Sequence, residues 1–312
     1  MAGAEQPLFD PAFVRRLEGL ALLTQKALAG RYAGDRRSPH RGQSVEFADF
    51  RNYVRGDDLR LVDWKAYGRL ERLFVKLFLE EQDTSVHVLV DASRSMGWGE
   101  PSKHWWARRM AGGLAYLTLR GGDRFNLYAV TDRLVRSGPH RGQESVWRVW
   151  DFLTNLSAEG QTDLDRALPP FVGQHSGQGL TFLVSDFLTP SGWQDGLRAL
   201  QAAGQEVTVI QVLSSEDASP PLGGDLRLID SETGQVQEVT VTGPLLDRYQ
   251  QALAELQEEL RSFCHRRGIG FHAWTTDVPV EEALLGWLPG AARTAASSRP
   301  VPAVPAKGGG QP

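Results

Sequence analysis

Three oxygen-bearing side chains, Asp91, Ser93 and Ser95, directly follow the apolar run at residues 86–90. Hydroxyl and carboxylate oxygens are hard donors, and Mg²⁺ prefers such ligands while keeping several of its waters. Asp and Ser also cap helices, so the same run would serve as an ordinary turn from a strand into a helix. Taken alone, it leaves a metal site and a helix cap as alternatives.

Two later loops carry further oxygen donors. Thr162 precedes a predicted helix at 164–171, and Ser185 and Asp186 follow a predicted strand at 180–184. In open α/β sheets, ligands collect at the carboxyl ends of strands, where loops meet helix N-termini. The sequence therefore predicts a single site built from three loops, with the metal ligands Asp91, Ser93, Ser95, Thr162 and Asp186.

The elements that position these loops alternate between strand and helix patterns. Such alternation indicates an α/β fold with a mostly parallel sheet covered by helices on both faces, here preceded by an N-terminal helical and extended segment. The predicted strands are 74–79, 86–90, 125–130, 180–184, 207–213 and 270–274. The predicted helices are 13–28, 103–119, 145–156, 164–171, 193–203, 244–267 and 281–288. Residues 226–230 and 235–241 predict a surface hairpin ahead of the long helix.

The chain resembles the bacterial domain-of-unknown-function family fifty-eight, within the von Willebrand factor A-like superfamily. The motifs that carry the resemblance are EFADFRNYVRGDDLRLVDWKA at residues 46–66, Gly68-Arg69, and DASRSM at residues 91–96. The similarity extends over roughly residues 13–289. It implies a Rossmann-like fold with a metal-ion-dependent adhesion site.

The resemblance also implies a role for each ligand. Ser93 and Ser95 would bind Mg²⁺ directly, with Mn²⁺ or Ca²⁺ as alternatives, and Thr162 would bind directly or through water. Asp91 and Asp186 would supply the negative charge, Asp186 acting through water. With few direct carboxylates the ion keeps an exchangeable water, so an Asp or Glu of another protein can complete its coordination. One departure is the third loop, Ser-Asp-Phe, where many superfamily members have Thr-Asp-Gly.

The function expected from the resemblance is that of a non-catalytic protein-binding module. Its expected partners are a MoxR-type AAA+ ATPase and a client protein whose assembly or maturation the two would assist. One alternative is a structural module with an unoccupied metal site. Another is a metal-dependent hydrolase, although Ser93 stands where a phosphatase of the haloacid dehalogenase type has a second Asp, and neither a Gly-x-Ser-x-Gly elbow nor a Walker A loop occurs.

Two further groups of residues have alternative interpretations. Asp57, Asp58 and Arg60 belong either to a network of paired charges that clamps the N-terminal segment or to a partner-binding surface. Trp98, just after the metal loop, is either an exposed aromatic at the rim of a binding site or an ordinary packed residue.

Composition excludes several classes of protein. The 312 residues are 41% hydrophobic and 23% charged with a net charge of −4, so no global field favours nucleic acid or an anionic membrane. Cys264 is the sole cysteine, which excludes an internal disulfide. Without a signal-like start or an apolar run of about 20 residues, we expect no membrane insertion and a cytoplasmic location.

The expected organisation has three parts. Residues 1–80 form the N-terminal helix and family-specific segment, and residues 81–290 form the von Willebrand factor A-like domain. Residues 291–312 are rich in Ala, Ser, Pro and Gly, which predicts a disordered tail.

Overall fold

A computed structural model describes residues 7–31, 46–79, 85–174, 178–221 and 223–287. The chain divides into two compact units, one formed by residues 1–24 and 84–312 and the other by residues 25–83. The predicted N-terminal segment, 1–80, is therefore split between the two units, and most of its first helix belongs to the main unit. The predicted tail, 291–312, lies outside the described residues.

The described strands and helices are numbered in chain order. The strands are β1 (Glu46–Asn52), β2 (Phe74–Leu79), β3 (Ser85–Asp91), β4 (Arg124–Val130), β5 (Leu134–His140), β6 (Gly179–Ser185), β7 (Gln205–Leu213), β8 (Gly224–Ile229), β9 (Val236–Val241) and β10 (Gly270–Thr275). The α-helices are α1 (Pro11–Arg31), α2 (Trp64–Leu70), α3 (Lys103–Arg120), α4 (Val146–Thr154), α5 (Leu164–Ala167), α6 (Pro169–Gln174), α7 (Gln194–Ala202), α8 (Ser215–Ala218), α9 (Gly243–Arg267) and α10 (Val280–Trp287).

The main unit is built around a six-stranded sheet with the order β10-β7-β6-β3-β4-β5. All neighbouring strands are parallel except β5, which runs antiparallel to β4 at one edge. Two separate clusters of buried apolar side chains cover the sheet, and β3 is buried at nearly every position. Burial on both faces is the reason that apolar residues occupy nearly every position of the strand, with His87 as the exception within residues 86–90. The predicted α/β fold, a mostly parallel sheet between helices, is confirmed.

Helix α1 packs into the main core through one face. Phe13 and Leu17 are fully buried, and Leu20 and Ala21 are nearly so. Arg109 of α3 reinforces this packing, because its guanidinium lies 4.0 Å from the centre of the Phe13 ring and pairs with Asp10 and Glu281. These contacts explain why the start of α1 belongs to the main unit rather than to a separate N-terminal segment.

Two elements of the main unit differ from the sequence prediction. The helix predicted at 164–171 is interrupted after Ala167 and resumes at Pro169, since proline is favoured in the first turn of a helix and disfavoured in its interior. Strand β5 was not predicted, because Gly138 and Pro139 interrupt its pattern. Proline is tolerated there because β5 is an edge strand.

The second unit contains the antiparallel pair β1-β2 and helix α2. Arg51 pairs with Asp57 at 2.7 Å, and Arg60 pairs with Asp58 at 2.8 Å, in each case a close neighbour in sequence. Exposed pairs of this kind add little to stability, because solvent screens the two charges. They give little support to a clamp, and whether this stretch is a clamp or a partner surface stays a prediction.

Across the described ranges, the structure contains no helix that is both long and apolar enough to span a bilayer. The cytoplasmic location stays a prediction.

Candidate metal centre

Asp91 is the last residue of β3, and its fully buried side chain lies where the strand order reverses direction. Three groups donate hydrogen bonds to its carboxylate. The backbone N–H of Ser93 lies 2.9 Å from Oδ1, the Thr162 hydroxyl 3.1 Å from Oδ1, and the Ser185 hydroxyl 2.6 Å from Oδ2. The carboxylate is thus fixed in position by all three loops that the sequence singled out.

The hydroxyls of Ser93 and Ser95 lie side by side in the turn after Asp91. Their Oγ atoms are 3.0 Å apart, with Ser93 fully buried and Ser95 half-buried. Two neighbouring ligands at the bond length that octahedral Mg²⁺ requires lie about 2.9 Å apart. The pair therefore has the spacing of two adjacent positions around such an ion.

Thr162 is held against this turn by the backbone. Arg94 N–H donates to the carbonyl of Gly160 at 3.1 Å, and Glu159 N–H donates to the carbonyl of Ala92 at 2.8 Å. The hydroxyl of Thr189, in the third loop, donates to the carbonyl of Thr162 at 2.9 Å. The loops therefore support one another through hydrogen bonds within the chain.

Asp186 follows β6 and has both carboxylate oxygens engaged within the protein. Oδ1 accepts from the N–H of Leu188 at 3.0 Å, and Oδ2 accepts from the ammonium of Lys103 at 2.7 Å. Lys103 also pairs with Asp217 at 2.8 Å. A carboxylate with these partners suits a role through water better than direct ligation.

Lys103, Asp217 and Ser185 were not predicted as members of the site. Lys103 is the first residue of α3 and is only 1% exposed, although a cation at a helix N-terminus opposes the helix dipole. A lysine in this position needs a carboxylate nearby, but the sequence does not show which residue supplies it. Asp217 caps α8 and lies far from Asp186 in sequence, so no local pattern connects the two.

The centre has more carboxylates than ammonium groups. Burial would lower the pKa of Lys103, but Asp186 and Asp217 outweigh that effect and raise it, so the ammonium stays charged. Burial, together with the charge of Asp186, raises the pKa of Asp91 to about 6. A buried carboxylate with a raised pKa lacks full charge compensation, and a cation would supply it.

The donors fit a hard divalent cation of the Mg²⁺ type. The fit depends on the hydroxyl pair and on the undercompensated charge of Asp91. Among the described residues, no group of three or more His, Cys, Asp or Glu side chains could hold a metal ion. A soft-metal or carboxylate-rich site is therefore not indicated in these ranges, and the site would depend on Ser93, Ser95 and Thr162 together with Asp91.

The remaining predicted residues lie apart from these oxygens. Trp98 follows the turn and is 58% exposed, which fits a rim aromatic better than a packed one. Asp57, Asp58 and Arg60 belong to the other compact unit.

A doubly wound sheet with its polar loops at the switch point defines an open α/β protein with helices on both faces. Within this class, the model of the family described as "Protein of unknown function DUF58" matches residues 49–259. The chain belongs to this family, and the resemblance found in the sequence is confirmed.

The chain is also similar to a mycobacterial protein and to solved structures. An uncharacterised protein of Mycobacterium tuberculosis, Rv1480, is 30% identical over 252 residues, covering 78% of this chain and 79% of that protein. An aerotolerance-related membrane protein from Bacteroides fragilis is similar at 15% identity and a TM-score of 0.41, over 64% of this chain and 94% of that one. A mussel byssus matrix protein with a zinc-occupied MIDAS motif matches at 18% identity and a TM-score of 0.34, over 42% and 38%. Both TM-scores are too low to support an inference about this chain.

Proposed function

We propose that the protein is a non-catalytic, Mg²⁺-dependent binding module whose partner supplies an acidic side chain. The observation that carries the proposal is the convergence of Asp91, Ser93, Ser95 and Thr162 at the switch point of the sheet. When bound, the ion would supply a Lewis-acidic position for a carboxylate oxygen.

The chain's own groups explain why binding is favoured over catalysis. The three groups that donate hydrogen bonds to Asp91 hold its negatively charged carboxylate in place at the site. The ammonium of Lys103 occupies the Oδ2 atom of Asp186. Neutral hydroxyls supply the other ligands, so an ion held there would keep net positive charge and attract an external anion. These features support an adhesion site rather than a hydrolytic one, and the hydrolase alternative stays untested.

The partner proposed from family resemblance is a MoxR-type AAA+ ATPase, acting with this protein on a client in the cytoplasm. The contact would be made by an Asp or Glu of the ATPase or of the client. Exposed Trp98, next to the metal turn, would supply apolar contact area at the rim of that interface.

A structural module without a metal is the second candidate, and one observation favours it. The Lys103 ammonium already neutralises Asp186, so the centre contains a cation of its own. In that case the hydroxyls of Ser93 and Ser95 would bind no metal ion in the cell.

Thermal unfolding with and without Mg²⁺ separates the two candidates, using Asp91→Ala, Ser95→Ala and, as the matched control, the exposed helix variant Asp247→Asn. A ligand at about one hundred times its Kd stabilises the folded state by about 2.7 kcal/mol. We expect the Mg²⁺-induced rise in Tm in the wild type and the control, and its loss in Asp91→Ala and Ser95→Ala. Co-purification of the ATPase should be lost in the same two variants. An equal rise, or none, in all four proteins would reject the adhesion site.

A further inference from the structure

The hairpin β8-β9 ends in a turn that lies over the candidate metal centre. Its strands pair in register from Gly224 with Val241 to Ile229 with Val236, and they belong to no larger sheet. The guanidinium of Arg94 donates to the carbonyl of Ser231 at 3.3 Å, and the amide of Gln161 donates to the carbonyl of Glu232 at 3.4 Å. Arg94 and Gln161 each adjoin a predicted ligand, so the turn contacts two of the three site loops.

The turn holds Glu232 in a defined position. Oδ1 of Asp230 accepts hydrogen bonds from the N–H of Glu232 at 3.0 Å, the N–H of Thr233 at 2.6 Å and the hydroxyl of Thr233 at 2.8 Å. Such a turn fixes the backbone without help from the rest of the protein. The position of the Glu232 backbone is therefore set within the hairpin.

The Glu232 carboxylate lies near two groups of the candidate centre. The contacts of its turn with Arg94 and Gln161 bring it near the hydroxyl of Ser95 and the backbone N–H of Thr162, and both groups lower its pKa. Burial raises the pKa of Glu232, with the negative charges of Asp186 and Asp230 acting in the same direction. Within the described residues, no ion pair joins Glu232 to a basic side chain, so Glu232 is, after Asp91, a second acidic group at the centre without a cation of its own.

We propose that Glu232 is a ligand of the metal in cis, and that a partner's acidic side chain binds by displacing it. The inference deepens the proposed function and depends on it. Glu232 stands where a carboxylate from outside would complete the coordination, against the hydroxyl of Ser95. The hairpin is thus an internal competitor that keeps the site closed until a stronger carboxylate is presented.

The hairpin is suited to reversible displacement. Most of its side chains are exposed, including the apolar residues Leu228, Ile229 and Val236. Segments that bury little apolar surface open at low free-energy cost. Displacement of the turn would leave the main sheet and its core intact. The exposed apolar residues of the hairpin would be available for contact with the partner.

Mn²⁺ titration with water-proton relaxation tests the inference, because relaxivity reports how many waters remain on the bound ion. The variants are Glu232→Gln and Glu232→Ala, with Glu238→Gln as the control, an exposed acid on strand β9 of the same hairpin. If Glu232 is a ligand, both variants should raise the Kd for Mn²⁺ about tenfold or more. They should also raise the relaxivity of the bound ion by the contribution of one extra water, while Glu238→Gln matches the wild type.

Acetate supplies a second readout as a minimal external carboxylate. It should lower the relaxivity of the Mn²⁺ complex of Glu232→Ala at concentrations that leave the wild type unchanged. If Mn²⁺ binds the wild type and the Glu232 variants with equal Kd, relaxivity and acetate response, the cis ligand is rejected and the metal site stands. If the wild type binds no Mn²⁺, the proposed function itself fails, and with it this inference.

Discussion

Replacing Lys103 by Met removes the charge at the centre of the buried network and nearly preserves the volume of the side chain. Its ammonium lies 2.7 Å from Asp186 and 2.8 Å from Asp217, and the Lys103 and Asp186 side chains are each 2% exposed. At an effective dielectric constant of 20, each pair attracts by roughly 6 kcal/mol before desolvation is subtracted. Because the variant leaves two buried carboxylates unpaired, we expect unfolding to become easier by about 3–5 kcal/mol.

Urea unfolding at pH 7 in the presence of a chelator measures this loss. Lys65→Met, at an exposed position, is the control and should change stability by less than about 0.5 kcal/mol. Adding Asp217→Asn to Lys103→Met should restore part of the loss, because one of the two unpaired charges is removed. A change of less than about 1 kcal/mol for Lys103→Met would refute the assignment of this lysine as the compensating cation.

Three further predictions concern the main unit. Burial lowers the pKa of His104 to about 4, so the stability conferred by its neutral form is present above pH 6.5 and lost as the pH falls towards 4. Urea unfolding between those pH values should show that the free energy of unfolding of the wild type falls by up to roughly 3 kcal/mol more than that of His104→Gln. Parallel plots of this free energy against pH for the two proteins would contradict the prediction. In the same assay, Phe13→Ala should lower the free energy of unfolding by about 3–5 kcal/mol, whereas Leu22→Ala, at an exposed position, should lower it by less than about 0.5 kcal/mol. Equal effects would show that α1 is not part of the main core. Gly99→Ala should lower Tm more than Gly122→Ala, since both have positive φ but an added Cβ clashes only at Gly99, and equal shifts would refute the clash.

The sequence was sufficient to predict the strands and helices that have a clear local pattern of apolar and polar residues. Strand β3 is buried on both faces, and its run of apolar residues, interrupted only by His87 between residues 86 and 90, predicted it. Strand β5 escaped prediction because it is half-exposed at an edge and contains Gly138 and Pro139. Strand β1 was also missed, because its residues mix charged and aromatic types without regular alternation.

The residues of the candidate site also differ in whether a local sequence pattern predicts them. Asp91, Ser93 and Ser95 were predicted from one short run. Thr162 was predicted from its position before a predicted helix, and Asp186 from its position after a predicted strand. Lys103 and Glu232 could not be assigned to the site in that way, because their contacts join residues that are distant in sequence. Lys103 contacts Asp186 across 83 positions, and the hairpin turn reaches Arg94 across 137 positions. Only the packed fold shows that these charges share a site.

The most direct test of the central claim is isothermal titration of the protein with Mg²⁺. The variants are the double substitution Ser93→Ala/Ser95→Ala and the exposed control Ser219→Ala. The site described here predicts one ion per chain in the wild type and the control, and no site-specific heat in the double variant. Undiminished binding by the double variant, or no binding by the wild type, would contradict a metal centre at Asp91, Ser93, Ser95 and Thr162.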